Sequence, residues 1–152
     1  MLQYSEQYSL FNFDAPQLRY SSRNDIRNGD AAEAFARGKL LKWGFDAHDA
    51  RRDSAYDIGV DLGHGLYCRV QVKSRAKATR GKWGFRCVRG NPRTGAGSYA
   101  YGKNDYDVTA CVALSTERVI FVPGVHPSIR LTNADFARDD GERVFKRRAS
   151  QA

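Results

Sequence analysis

The stretch Asp57-Ile58-Gly59-Val60-Asp61-Leu62-Gly63-His64-Gly65-Leu66-Tyr67-Cys68-Arg69-Val70-Gln71-Val72-Lys73 decides the fold. Ile58, Val60 and Leu62 alternate with Asp57, Gly59 and Asp61, the period of two expected of a strand buried on one face. Gly63, His64 and Gly65 then make a turn. Leu66 to Lys73 alternates again, with Leu66, Cys68, Val70 and Val72 on one side and Tyr67, Arg69, Gln71 and Lys73 on the other. A β-hairpin is the economical reading. If its apolar halves share a core, Asp57, Gln71 and Lys73 share the opposite face of one sheet, because residues two apart on a strand point the same way. Parity puts the three on one side; the register across the turn, and therefore contact, stays open.

Upstream, Asn28 is a plausible helix cap, Asp30 and Glu33 fall in first turns where negative charge suits the helix dipole, and Gly44 is a natural stop, which predicts a helix from about 29 to 43. Ala32, Ala36, Leu40 and Trp43 recur at helical spacing as a buried stripe. Glu33 lies at its edge and either leans into a site or only decorates the helix start. Phe45 to Asp49 suits a short strand. Residues 1–27, polar with scattered aromatics (Tyr4, Tyr8, Phe11, Phe13, Tyr20), read as an N-terminal arm that docks on a partner or on the body.

Downstream, Trp83 to Arg89 predicts a further strand, and Gly90 to Gly97, with Pro92 and three glycines, a flexible basic loop. Val108 to Leu114 and Arg118 to Val122 form a strand pair closed by Pro123 and Gly124, and Ser128 to Leu131 adds a short strand. Thr132 with Asp135 three residues later marks a helix start, and a short basic helix is expected to run to about Lys146. The expected organisation is an arm (1–27), one domain (28–146) and a tail (147–152).

With 152 residues the chain fits one domain. Its 41% apolar and 28% charged residues are ordinary for a globular protein, and no window approaches the roughly 18 apolar residues of a membrane span. No secretory signal is visible at the start, so an intracellular, cytoplasmic location is expected. Cys68, Cys87 and Cys111 are odd in number and set among apolar neighbours, as core thiols are. His48, His64 and His126 are isolated, so no histidine-based metal site is expected. A net charge of +8 favours a polyanion as partner, nucleic acid above all. Its distribution says more: no carboxylate occurs between Asp61 and Asp105, whereas Arg69, Lys73, Arg75, Lys77, Arg80, Lys82, Arg86, Arg89, Arg93 and Lys103 fall in that gap among Trp83, Phe85, Tyr99 and Tyr101. Such a stretch suits a surface that neutralises phosphates and releases counterions.

To cleave a phosphodiester, an enzyme must bring a divalent metal to the phosphate, activate a water, and offset the charge that develops. Magnesium takes hard oxygen ligands, usually one or two carboxylates plus waters and phosphate oxygens. Asp57 can supply one ligand. On the next strand, Gln71 can offer an amide oxygen to the metal and Lys73 an ammonium to the water or phosphate.

Gly29-Asp30-Ala31-Ala32-Glu33, Tyr56-Asp57-Ile58-Gly59-Val60-Asp61 and Arg69-Val70-Gln71-Val72-Lys73-Ser74 together resemble the PD-(D/E)XK nuclease superfamily, with a helix glutamate, a strand aspartate and an acid-x-Lys triplet on the next strand of a hairpin. The chain looks closest to the branch of group I intron homing endonucleases whose triplet reads Gln-x-Lys, and Asn104-Asp105-Tyr106-Asp107-Val108 and Phe121-Val122-Pro123 are also similar to it. Tyr56 stands where the superfamily pattern has proline, and Gln71 where it usually has an acid, which removes a negative charge from the metal site. The resemblance implies a restriction-endonuclease-like α/β core, a mixed β-sheet flanked by helices. It implies Asp57 and Glu33 as ligands of Mg2+, with Mn2+ a plausible substitute, Gln71 as neutral ligand or water-positioner, and Lys73 as the group that orients or deprotonates water. A lowered Lys73 pKa is expected from Arg69, Arg75 and Lys77. Asp61 is a reserve ligand, and Asp107 reads as structural.

Three functions follow: a double-strand DNA endonuclease of homing or restriction type, acting as a homo-dimer or homo-tetramer; a structure-selective nuclease such as a Holliday junction resolvase; or a non-catalytic DNA-binding protein that kept the fold, which Gln71 keeps open. DNA contacts are expected from Arg69, Arg75, Lys77, Arg80, Lys82, Arg86, Arg89, Arg93 and Lys103.

Overall fold

The first helix, α1 (Ser22–Lys42), carries Asp25 in its first turn and Lys39 and Lys42 in its last, charges that complement the helix dipole. It begins six residues before Asn28, so the expected cap lies inside the helix. It ends where expected. Gly44 takes φ +88°, its N–H donates to the Leu41 carbonyl, and the Phe45 N–H reaches back to the Leu40 carbonyl, a paired closure that a left-handed glycine permits. Ala32, Ala36 and Leu40 are fully buried along one face of the helix. The structure, a computed structural model, describes residues 22–90, 97–138 and 141–151; most of the expected arm, Arg93 and most of the glycine-containing loop lie outside the described residues.

The strands β1 (Asp46–Asp49), β2 (Ile58–Gly63), β3 (Leu66–Arg75), β7 (Val108–Ala113) and β8 (Arg118–Pro123) form one sheet in the order β1-β2-β3-β7-β8. Neighbours are antiparallel except for the central pair β3 and β7, which run parallel, so the sheet is mixed. A parallel pair needs a crossover, and the segment between β3 and β7 supplies it with β4 (Lys82–Arg86), β5 (Val88–Arg89) and β6 (Tyr99–Ala100). Strand β4 pairs with β9 (Ser128–Thr132), and β5 with β6, as two small ribbons.

Both faces of the large sheet are covered, which is why every residue of β7 is buried. On one face α1 and α3 (Glu142–Ala149) enclose Val60, Cys68, Val70, Val72, Phe121 and Phe145. On the other, the β4–β9 ribbon and the short α2 (Asn133–Ala137) bury Trp83, Phe85, Cys87, Cys111, Ala113, Ile129 and Phe136. The expected single helix after Thr132 is two. Thr132 and Asp135 do form the reciprocal capping box that starts α2, but Gly141 is buried, and a Cβ there would stand 2.9 Å from Phe121 and 3.0 Å from Trp43. Close approach of two aromatics leaves no room for a side chain at the residue that starts α3. All three cysteines are buried free thiols, and among the described residues no helix is long and apolar enough to cross a membrane.

Candidate active site

The register of the β2–β3 hairpin fixes what parity left open. Ile58 pairs with Val70, so Asp57, one residue before β2, stands across from Gln71, and the Asp57 N–H donates to the Val70 carbonyl at 2.9 Å. Asp57 Oδ2 accepts from Gln71 Nε2 at 2.5 Å and from the Val72 N–H at 2.7 Å. Gln71 is buried, 6% exposed, and its amide nitrogen also donates to the Val72 carbonyl. Burial raises the Asp57 pKa more than the Val72 N–H, Lys73 and Gln71 lower it.

Lys73 follows on the same face, beside Cys111 of β7. Its Nζ donates to the Val88 carbonyl and to the Tyr101 hydroxyl, each at 3.2 Å, and lies 5.1 Å from the centre of the Tyr101 ring. The Lys73 pKa is lowered, as the sequence suggested, but by a different cause. Desolvation does it, with Asp57 opposing, while Arg75 and Lys77 are exposed and the Arg69 charge is spent elsewhere. Sequence reasoning did not find Tyr101 as a Lys73 partner, because β5 and β6 bring it there across a loop that no periodicity marks.

Glu33 reaches the site from α1. It lines a cavity of about 380 Å³ together with Asp30, Asp49, Asp57, Arg51 and Arg52. Burial first, then repulsion from Asp57, Asp30 and Asp49, push its carboxyl up to about 7. Glu33 therefore faces this cavity from the middle of α1 and does not decorate a helix start. Asp49 was missed because β1 is too short to show a period. Its register partner Ile58 sets it next to Asp57, and Arg37 Nε holds it at 3.1 Å.

The donor chemistry can be tested against magnesium. Among the described residues no three His, Cys, Asp or Glu side chains converge into a ready-made cage. Two carboxylates that repel one another beside an open, polar cavity suit an ion that keeps most of its waters and takes one or two carboxylates, as Mg2+ does. Gln71 turns its amide nitrogen toward Asp57, so presenting the oxygen to an ion requires the amide to flip.

Other expected residues sort differently. Arg69 is a correction: its backbone N–H and guanidinium bind the Asp107 carboxylate, at 2.8 Å through the N–H and 3.1 Å through Nε, and its Nη1 donates to the Asn104 carbonyl. A guanidinium whose donors are so engaged is not free for a phosphate, although 32% of the side chain is exposed. Asp107, also approached by Arg148, is structural, and although burial raises its pKa, Arg69 and Arg148 hold it below the usual carboxylate range. Asp61 is exposed and accepts from the Gly63 N–H in the hairpin turn, away from Asp57 by four residues of strand. Arg75, Lys77, Arg80, Lys82, Arg86, Arg89 and Lys103 are all exposed, and Arg89 lies 5.9 Å from the Tyr101 ring. His48 and His126 are occupied by Tyr67 and by the Pro123 carbonyl, each at 2.8 Å.

No family model and no curated protein matches the sequence. Among solved structures, the fold is similar to that of the bacterial homing endonuclease I-Ssp6803I, with a TM-score of 0.58 and 23% identity over 82% of this chain and 93% of that one. A Holliday junction resolvase, Hjc of Archaeoglobus fulgidus, matches with a TM-score of 0.42 and 15% identity over 72% of this chain and 88% of that one. The fold is thus α/β, a mixed five-strand sheet flanked by helices, shared with a homing endonuclease.

Proposed function

We propose that this chain is a magnesium-dependent endonuclease that hydrolyses phosphodiester bonds in double-stranded DNA, of homing or restriction type. The observation that carries the reading is the hairpin register, which sets Asp57 against Gln71, with Lys73 two residues further on the same face, while Asp57 also lines the cavity that Glu33 shares. Asp57 and Glu33 would hold Mg2+, or Mn2+ in its place, with the Gln71 amide oxygen as a neutral ligand. The bound ion supplies Lewis acidity and a water of lowered pKa.

The side chains do the rest. Lys73, desolvated and so inclined to give up its proton, orients the attacking water or takes a proton at Nζ once it leaves the Val88 carbonyl. Tyr101, pushed up to about 12 by burial first, keeps its hydroxyl proton and offers its oxygen to Lys73. Exposed cations from Arg75 to Lys103 hold the phosphate backbone. Cutting both strands requires two such sites, hence a homo-dimer or homo-tetramer.

A second reading, a DNA-binding protein without catalysis, is favoured by one observation: Gln71 donates its nitrogen to Asp57 and brings no charge to the metal. Incubation of the protein with a DNA library in Mg2+ separates the two. We expect nicking or cutting that Lys73→Ala and Asp57→Ala abolish. Equal cutting by either variant would mean the site is elsewhere, binding without cutting in Mg2+ and Mn2+ would favour the second reading, and junction substrates cut in preference to linear duplex would indicate a structure-selective nuclease.

A further inference from the structure

The β4–β9 ribbon has two unlike faces. Trp83, Phe85 and Ile129 are buried beneath it, and Trp83 Nε1 donates to the Asn133 side chain at 2.8 Å, so the ribbon is fastened to the body. Its outer face presents Lys82, Gly84 and Arg86 from one strand and Ser128, Arg130 and Thr132 from the other, all exposed. Three cations and no carboxylate occupy that face, and Asp135, beside Thr132, is spent on its capping box. Lys82, Arg86 and Arg130 have no ion-pair partner among the described residues.

Register arranges these groups further. Arg130 pairs with Gly84, midway between Lys82 and Arg86. A Cβ at Gly84 would meet nothing within 4 Å, so the centre of the ribbon is a gap with one arginine beside it. Four residues of strand separate Lys82 from Arg86 by about 13 Å at the usual rise per residue. The major groove of B-DNA is about 12 Å wide and admits a two-stranded β-ribbon. Two residues beyond Arg86, the Val88 carbonyl holds Lys73 Nζ, so one end of the ribbon adjoins the candidate active site.

We infer that the outer face of this ribbon enters the DNA major groove, with Lys82 and Arg86 on the flanking phosphates and Arg130, reaching past the open space at Gly84, on the edge of a guanine. This rests on the DNA nuclease reading and adds to it a sequence-reading residue. Arginine suits the role because its guanidinium can donate two parallel hydrogen bonds to guanine O6 and N7. Arg130 lies outside the carboxylate-free stretch, so the charge pattern of the sequence gives it no prominence; only the pairing of β9 with β4 brings it between the other two cations.

The test is selection of duplexes from a randomised library with calcium in place of magnesium, using the whole chain. The wild-type protein should enrich a site with a guanine at one fixed position, and Arg130→Ala should lose that preference alone, by about 10-fold or more. Lys82→Ala and Arg86→Ala should weaken binding evenly across sequences and flatten its salt dependence by about one unit each. Gly84→Leu, which keeps every charge and replaces glycine in a strand, should melt no lower than wild type yet bind all duplexes poorly, because its side chain fills the gap. If the wild type cuts DNA while Arg130→Ala selects the same sites and Gly84→Leu binds normally, the ribbon inference falls and the nuclease reading stands. A wild-type protein that neither binds nor cuts DNA overturns both.

Discussion

Replacing Glu33 by Gln tests the electrostatics of the site without reference to catalysis. Burial and the charges of Asp57, Asp30 and Asp49 move the Glu33 pKa from 4.5 to about 7. The folded state thus binds this proton more tightly than the unfolded state does. Glu33 costs no stability below pH 4.5, where it is neutral in both states, and the penalty grows as pH rises until it is complete above about 7. Undiminished, that displacement corresponds to about 3.4 kcal/mol, at 1.36 kcal/mol for each pKa unit. Glu33 is only half-buried, and solvent screening reduces the figure to about 1–2 kcal/mol. In EDTA at pH 8, Glu33→Gln should therefore melt about 3–8 °C above wild type, a gap that closes as the pH is lowered to 4.5. Added Mg2+ should raise the Tm of wild type more than that of the variant, since the ion offsets the repulsion that glutamine has already removed. Thermal melts from pH 4.5 to 8.5 with and without Mg2+ measure all of this. A variant that melts no higher at pH 8, or keeps its advantage in acid, would refute the placement of Glu33 among these carboxylates.

Gln71→Glu would set a second carboxylate against Asp57 Oδ2, where two ions cannot both stay unprotonated at low cost. The metal-free protein should melt lower at pH 8, and its Tm should respond to Mg2+ more strongly than that of wild type; an unchanged response would place the ion away from residue 71. Asp107→Ala should cost about 2 kcal/mol at neutral pH by stripping charged hydrogen bonds from Arg69. Because the folded pKa of Asp107 is depressed, its contribution is present above the unfolded value near 4 and is lost as pH falls through the folded one. Urea melts at pH 7 and pH 3 should show the deficit shrinking in acid, and an equal deficit at both would remove the ion pair from the account.

The hairpin was legible because one face of each strand is buried and the other polar, so alternation records the faces directly. Helix α1 was legible at its C-terminal end, where a glycine must take a positive φ, and misplaced at its N-terminal end. Ser22 to Arg27 add nearly two turns with no apolar period, and Ile26 there is exposed. Strand β7 shows no alternation because both its faces are covered, yet its run of small and β-branched residues sufficed. What no local pattern carries is pairing at a distance: the parallel match of β3 with β7, the ribbon of β4 with β9, and the meeting of Lys73 with Tyr101. The glycine that starts α3 belongs with these, since the space at Gly141 is set by Phe121 and Trp43 and not by its neighbours in the chain.

At the candidate site, the sequence placed Asp57, Gln71 and Lys73 on one face, as the hairpin register does, but assigned the Lys73 shift to the wrong physics. Cations at Arg75 and Lys77 stand in solvent and are not among the groups that shift Lys73, while Arg69 is paired with Asp107. Desolvation beside Val88 and Tyr101 lowers the Lys73 pKa without help from them. The two roles of positive charge in this chain are therefore separable. One lysine is taken out of water, where losing its proton becomes easier, whereas Arg75, Lys77, Arg80, Lys82, Arg86, Arg89 and Lys103 are exposed. A neutral residue at Gln71 fits the same division. Burial already raises the pKa of Asp57, and an amide donating to its Oδ2 favours the ionised form, whereas an acid would compete for the proton. Gln71 thus lets a half-buried carboxylate stay charged beside Glu33, at the expense of one ligand charge for the ion they would share.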